Sequence, residues 1–457
     1  MSDETALIKL ARLVHSVRYE DLPADVVSHA KALILDTIGC AYGAFNSDVG
    51  VAVRSFASDL GGHPQSAILG TQTRTSMSLA TFANGSMLRY LDANDYYFGR
   101  DPAHPSGNLA AALAVGEYMR CSGAELIAAF VAAYEVQLRF CDLAGKPTIW
   151  RRGWHHATNA QFSSSAVAAR LLKGDVRQTA HAMAIAGSHH NTLAALLSGE
   201  ISMIKGTVDA WIAKGGVEAA TLALRDVTGP LALLEGKHGW AEAVAGEVDF
   251  EALLAPIDRY RMMNSCIKGY PVVANAIAPV RAAIELHPEV RGRADSIQRM
   301  IVRMPAYAFE TPCGNPDRRF PATRESADHS FYYCPAVALL DGKCGDEQFS
   351  EEKRTMPALL ELLRKVELEA DPTLTSRWPG AAGGIVVLQM SDGRVHESHC
   401  DYPPGHSRNP LTVDELRAKF HDFADPVLSR NRANRLREQL ETLEAYSDVR
   451  SLSVTSS

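Results

Sequence analysis

The densest group of side chains able to do chemistry lies at residues 90–107, YLDANDYYFGRDPAHPSG. Asp92 and Asp95 stand three residues apart at the end of an apolar run, beside Tyr90, Tyr96 and Tyr97. A Gly- and Pro-containing loop then leads to His104-Pro105-Ser106-Gly107, directly before another apolar run. Carboxylates, phenols and an imidazole gathered where two buried helices meet are what general acid–base catalysis requires. The competing reading is that the aspartates solvate a helix end and His104 sits in a capping loop. A second group, Gly153-Trp154-His155-His156-Ala157-Thr158, precedes another small-residue run, and a third is Ser188-His189-His190-Asn191. Histidines of this kind also serve as satisfied structural residues. Lys205 and Lys268 are each flanked by apolar residues, where an unpaired ammonium is costly to bury. Each either reaches water along its stem or faces an anion, and two fixed cations suit a small di- or tricarboxylate.

These groups are carried by a chain of 457 residues, enough for two or three domains. Hydrophobic residues make up 46% and charged residues 22%, the balance of a soluble globular protein. The net charge, 46 − 53 = −7, leaves no basic footprint for nucleic acid or an anionic membrane. No uninterrupted apolar stretch reaches the ~18 residues of a membrane span. The acidic start Met-Ser-Asp-Glu-Thr does not read as a signal peptide, so a cytoplasmic protein is expected. None of the eight cysteines forms a C-x-x-C pair, which predicts reduced, structural thiols. H-E-x-x-H, P-loop, G-x-S-x-G and G-x-G-x-x-G motifs are absent, so the common metal, nucleotide and serine-hydrolase templates fail.

The elements that must position the site come in two styles. Apolar residues at three- and four-residue steps from Val26 predict a helix after the opening turn Leu22-Pro23-Ala24-Asp25. Further helices are predicted at 78–91, 109–120, 124–138, 160–172, 176–186 and 208–224, rich in Ala and Gly that let helices approach closely. After Tyr270-Pro271 the pattern changes. Residues 296–304 alternate as a strand, and 385–390 with 394–401 read as a hairpin turning at Asp392-Gly393. Helices are expected at 330–340 and 353–365, and another at 411–423 that packs back on the first unit. The prediction is a mainly α protein: a helical domain over 1–265, an α+β domain over 266–405 and a C-terminal helical segment over 406–457, with a frayed tail from Ser451.

Nine short segments together resemble the MmgE/PrpD family of 2-methylcitrate dehydratases and relatives. They are DTIGCAYG (36–43), ANGSMLRYLDAND (83–95), HPSG (104–107), YEV (134–136), GWHHAT (153–158), LEGKHGW (234–240), KGYP (268–271), HSFYYCPAVALLDG (329–342) and PPGHSRNPLT (403–412). The resemblance implies a homodimer with a large helical and a smaller α+β domain, and an active site between them. It also implies chemistry on small polycarboxylates with no metal or organic cofactor, as in 2-methylcitrate dehydratase, cis-aconitate decarboxylase and iminodisuccinate epimerase. By motif position Asp92, His104, His155 and Lys205 are the expected catalytic residues, and Lys268, Asp95 and Tyr96 the expected substrate contacts. Decarboxylase-type members carry a histidine where this chain has Val273 and a threonine where it has Tyr96; the stretch between Asp95 and His104 is about two residues longer here. Dehydration of a 2-methylcitrate-like hydroxy-acid is therefore the expected activity. Epimerisation at a carbon next to a carboxylate, or a non-catalytic member, are the alternatives.

Overall fold

Small side chains decide how the helices of this protein meet. The computed structural model describes residues 4–143 and 148–454. Helix Met77–Tyr90 is buried along its whole length and packs against Asn108–Met119 and Val208–Ala223. Gly85 makes the contact possible, because a Cβ there would meet the Cβ atoms of Ala210 at 3.0 Å and Ala110 at 3.2 Å. Helices Ala24–Gly43, Gly123–Leu143, Ala160–Leu171 and Val176–His189 also belong to the larger unit, each within a few residues of its predicted span.

The smaller unit is built on a four-stranded sheet in the order Val366–Ala370, Ile297–Met304, Gly384–Met390, Val395–Cys400. The first pair is parallel and the others antiparallel, with helices Ile277–Val290 and Tyr333–Asp341 packed together beside it. The hairpin turns at the predicted Asp-Gly, where Gly393 has φ 85°. Strand Val366–Ala370 falls where the sequence pattern gave only a helix end. The helix expected over 353–365 is two helices, Glu351–Arg354 and Pro357–Arg364. Pro357 lacks the N–H that would continue the first and forces Met356 into an extended conformation.

Each unit has its own hydrophobic cluster, and the C-terminal helices belong to the first. Val413–Leu428 and Arg430–Glu441 pack on Ala24–Gly43, burying Leu416, Phe420, Ala424, Leu436 and Leu440. The tail does not fray as far as Val454: Leu452 and Val454 are buried, and the Val454 carbonyl accepts bonds from the Tyr42 hydroxyl at 2.8 Å and Gly70 N–H at 2.9 Å. Apolar side chains between the serines supply that anchor; the tail residues 455–457 and the acidic start 1–3 lie outside the described residues. A second, three-stranded sheet stitches the units together, running Pro102–Ala103, Asp95–Phe98, Cys266–Ile267. Its pairing of Asp95 with Ile267 and Tyr96 with Cys266 brings Lys268 beside Asp92. No helix among the described residues is long and apolar enough to cross a membrane.

Candidate active site

The turn after helix Met77–Tyr90 is the centre of the site. Asp92 has φ 52°, a left-handed conformation that Asp tolerates better than most residues and that ends the helix. The reversal brings its carboxylate back onto Arg89 of the same helix, with Arg89 Nη1 2.7 Å from Asp92 Oδ1. Lys205 Nζ lies 3.3 Å from the same oxygen, and Lys268 Nζ 2.7 Å from Oδ2. Arg89 also donates from Nε to Asp209 Oδ2 at 3.0 Å and from Nη1 to Asn94 Oδ1 at 3.0 Å. All five charged groups are at least nine-tenths buried. Three cations thus face two carboxylates in a place water hardly reaches, leaving one positive charge over. Burial alone would push Asp92 up, but Lys205, Lys268 and Arg89 hold its carboxyl well below the usual range. Burial, with Arg89 and Lys205 adding to it against the pull of Asp92, brings Lys268 down to about 8.

A largely enclosed cavity of about 70 Å³ opens above this network, between the two units. At ~10–15 Å³ per water it has room for a few waters or a compact ligand, not a nucleotide. The helical unit gives it Arg89, Asp92, Asp101, His104, His155, His156 and Lys205; the α+β unit gives Val273, Asn275, Tyr307, Thr311 and His329. Trp150 Nε1 donates to the Glu310 carbonyl at 3.0 Å and Arg151 pairs with the Glu310 carboxylate, tying the units together beside it.

The hydrogen bonds fix what each imidazole presents. His104 Nδ1 lies 2.6 Å from the Asp95 carbonyl, which can only accept; its proton is therefore on Nδ1 and Nε2 carries the lone pair. His155 is the reverse: Nδ1 accepts from the Ala157 N–H at 3.2 Å, so the neutral ring carries its proton on Nε2, which has no partner among the described residues. His329 donates from Nδ1 to Asp328, which Arg324 holds at 2.9 Å, and turns Nε2 to within 3.8 Å of Asp92 Oδ2. Burial, with the nearby cations acting in the same sense, lowers the pKa of all of these rings, His156 to about 3. At neutral pH they are neutral.

That state has a consequence for stability. The unfolded chain protonates His156 near pH 6.5 while the folded one resists it down to about 3, so its contribution is present above pH 6.5 and is lost as the pH falls. His156→Asn removes the effect. Between pH 6.5 and pH 5 native protein should therefore lose about 2 kcal/mol relative to His156→Asn, at about 1.4 kcal/mol per unit. Urea unfolding of both proteins at the two pH values measures the gap, and a constant gap contradicts it.

The seven residues expected from sequence do not all reach the cavity. Asp92, His104, His155 and Lys205 line it; Lys268, Asp95 and Tyr96 do not. Lys268 is fully buried behind Asp92, donating also to the Asp92 and Val272 carbonyls at 2.9 Å each, so it neither reaches water nor opens to a ligand. Asp95 lies under His104, accepting from the Ser106 hydroxyl at 2.5 Å and Tyr134 hydroxyl at 2.6 Å, while burial pushes it up to about 6. Tyr96 points into the α+β core, beside the wall residue Phe98, whose ring centre is 5.2 Å away. His189 and His190 are likewise absent from the wall. Val273 is on it.

Models of the MmgE/PrpD N-terminal domain and MmgE/PrpD C-terminal domain match residues 8–253 and 270–445. The chain belongs to the MmgE/PrpD family. Among curated members it is 26% identical to cis-aconitate decarboxylase of Mus musculus, over 96% of this chain and 90% of the relative. It is 27% identical to the Homo sapiens cis-aconitate decarboxylase, over 96% and 92%. To 2-methylcitrate dehydratase of Salmonella typhimurium it is 25% identical, over 88% and 87%. These MmgE/PrpD relatives are enzymes, and the family-level activity is that of a lyase.

Sequence reasoning missed Arg89, Asp209, Asp101 and His329 as parts of this MmgE/PrpD site. Arg89 lies three positions before Asp92, and an arginine inside an apolar run beside a candidate carboxylate was the available signal. His329 stands in the segment HSFYYCPAVALLDG, but nothing local ties it to residues more than two hundred positions earlier.

A brace from the C-terminus completes the arrangement. Lys419, on helix Val413–Leu428, donates to the carbonyls of Ala93 at 2.6 Å and Lys268 at 2.8 Å, with Asp36 as its buried counter-ion at 2.6 Å. It clamps together the backbone on either side of the Asp92–Lys268 pair.

Proposed function

We propose that this protein is a cofactor-independent lyase that dehydrates a small hydroxy-polycarboxylate of the 2-methylcitrate type. The observation that carries the reading is an enclosed, net-cationic cavity into which His104 presents a bare Nε2. A substrate carboxylate sits on Arg89 and Lys205, where charge-assisted bonds are strongest and water is excluded. His104 Nε2 removes the proton from the carbon next to that carboxylate, and the two cations stabilise the enolate-like charge that develops. Asp92, locked between three cations, is too weak a base for that step and acts as their counter-ion. His155 Nε2–H donates to a substrate oxygen. Asp95 orients His104 through its backbone carbonyl, and Lys268 acts at one remove, through Asp92. Dehydration is preferred to decarboxylation of cis-aconitate because Val273 takes the place on the wall where the decarboxylase-type pattern has a histidine.

The working unit we infer is a homodimer, supported by an aromatic patch in which Phe82 packs between the exposed Phe56 and Trp211. A cytoplasmic setting fits eight buried cysteines that are all free thiols.

Proton NMR in D₂O with 2-methylcitrate, citrate, cis-aconitate, iminodisuccinate and simple hydroxy-dicarboxylates tests the reading. New vinyl signals from a hydroxy-acid are expected. Deuterium exchange without alkene from any of them would make the protein an epimerase instead, and no reaction with the panel would favour a binding role.

A further inference from the structure

Asp101 is the one carboxyl on the cavity wall outside the cationic network and the Arg151–Glu310 tie, and the mechanism above leaves it unused. It is fully buried, on a backbone fixed by bonds from Asp101 N–H to the Cys141 carbonyl at 3.1 Å and from Gly99 N–H to the Asp101 carbonyl at 3.3 Å. Its Oδ2 accepts a long bond from the Ile149 N–H at 3.5 Å, and Oδ1 has no partner among the described residues. A buried anion so poorly served is unfavourable, whereas a neutral carboxylic acid there is not. Burial pushes the group up to about 7, against the Ile149 and Trp150 N–H groups and the charge of Arg100. The two titratable groups facing it from other elements, the Tyr307 phenol and the Cys141 thiol, are held neutral by their own burial.

The rest of the wall offers only weaker acids, the buried Tyr307 phenol among them. His104 offers a lone pair, and His155 and His156 are neutral rings whose N–H is far too weak to protonate a leaving hydroxyl. Lys205 is engaged with Asp92. Loss of water needs a base at the C–H bond and an acid at the C–O bond.

We propose that Asp101 is the general acid of the elimination, passing its carboxyl proton to the substrate hydroxyl as the C–O bond breaks. The inference rests on the dehydratase reading above. His104 Nε2 takes the proton from carbon, the C–H electron pair becomes the second bond of the alkene, and the C–O pair departs on oxygen. The proton of Asp101 completes the water molecule. An imidazolium and a carboxylate remain, and they exchange the surplus proton through solvent as product leaves. Acid and base flank the two-residue strand Pro102–Ala103, so one short arm of the three-stranded sheet carries both.

Asp101→Asn keeps the size and a hydrogen-bond donor but has no proton to give. With 2-methylcitrate in D₂O, deuterium uptake at the acidic carbon reports the base step and alkene formation reports C–O cleavage. The variant is expected to keep exchange within about threefold of native while alkene formation falls ~10²–10⁴-fold. The infrared difference spectrum of native protein minus Asp101→Asn at pH 6 should also contain the carbonyl band of a protonated carboxyl. Equal loss of exchange and elimination, loss of neither, or absence of that band overturns the assignment. Native protein that exchanges deuterium yet forms no alkene from any hydroxy-polycarboxylate overturns the dehydratase reading itself, and the role of Asp101 falls with it.

Discussion

Asp92→Asn should destabilise the folded protein by about 3–5 kcal/mol, the usual cost of removing one member of a buried ion-pair network. Asparagine fills the same space and can accept from Arg89, so little of the loss comes from packing. What changes is charge: Arg89, Lys205 and Lys268 would face Asp209 alone. Against a total stability of ~5–15 kcal/mol, such a loss moves the unfolding midpoint far down in urea. Because the deficit is one of negative charge, a polycarboxylate such as citrate should stabilise the variant more than the native protein. A loss below about 1 kcal/mol, or equal stabilisation of both by citrate, would show that Asp92 is not the counter-ion of this network.

The second large effect is on rate. His104→Gln should lower deuterium exchange and turnover by ~10²–10⁴-fold, the range for a lost general base, with KM nearly unchanged. Glutamine keeps much of the bulk and polarity of the ring but has no basic nitrogen, so the lone pair is gone. His329→Gln is the control. Its Nε2 lies over Asp92, at the end where the substrate carboxylate binds, so that variant should raise KM more than it lowers kcat. If His329→Gln abolishes exchange and His104→Gln does not, the base is His329, oriented by Asp328.

The parts of this molecule that could be read from sequence are those whose determinants are close together along the chain. The helices of the larger unit show their period within one element, and the Asp392-Gly393 turn dictates its own hairpin. Asp92, His104 and His155 announce themselves as polar residues at the junctions between apolar helices. Strand Val366–Ala370 was illegible because VELEA suits a helix and becomes a strand only by pairing in parallel with Ile297–Met304. Lys268 read as a ligand contact because its neighbours are apolar, but which anion it faces depends on Asp92, 176 positions earlier. Lys419, on an amphipathic helix, looks like one more solvated charge until Asp36 and two distant carbonyls are brought to it.

That lysine also sets when the protein becomes active as it is made. Lys419 lies 151 positions after the Lys268 it braces, so at a synthesis rate of ~5–20 residues per second roughly 8–30 s separate their appearance on the ribosome. Over the last 419 − 329 = 90 of those positions, once His329 is made, the chain holds the residues of the cavity without the clamp that sets Asp92 against Lys268. The site is thus among the last parts of the nascent protein to be finished, and a chain released early carries the chemistry in its sequence without the geometry to use it.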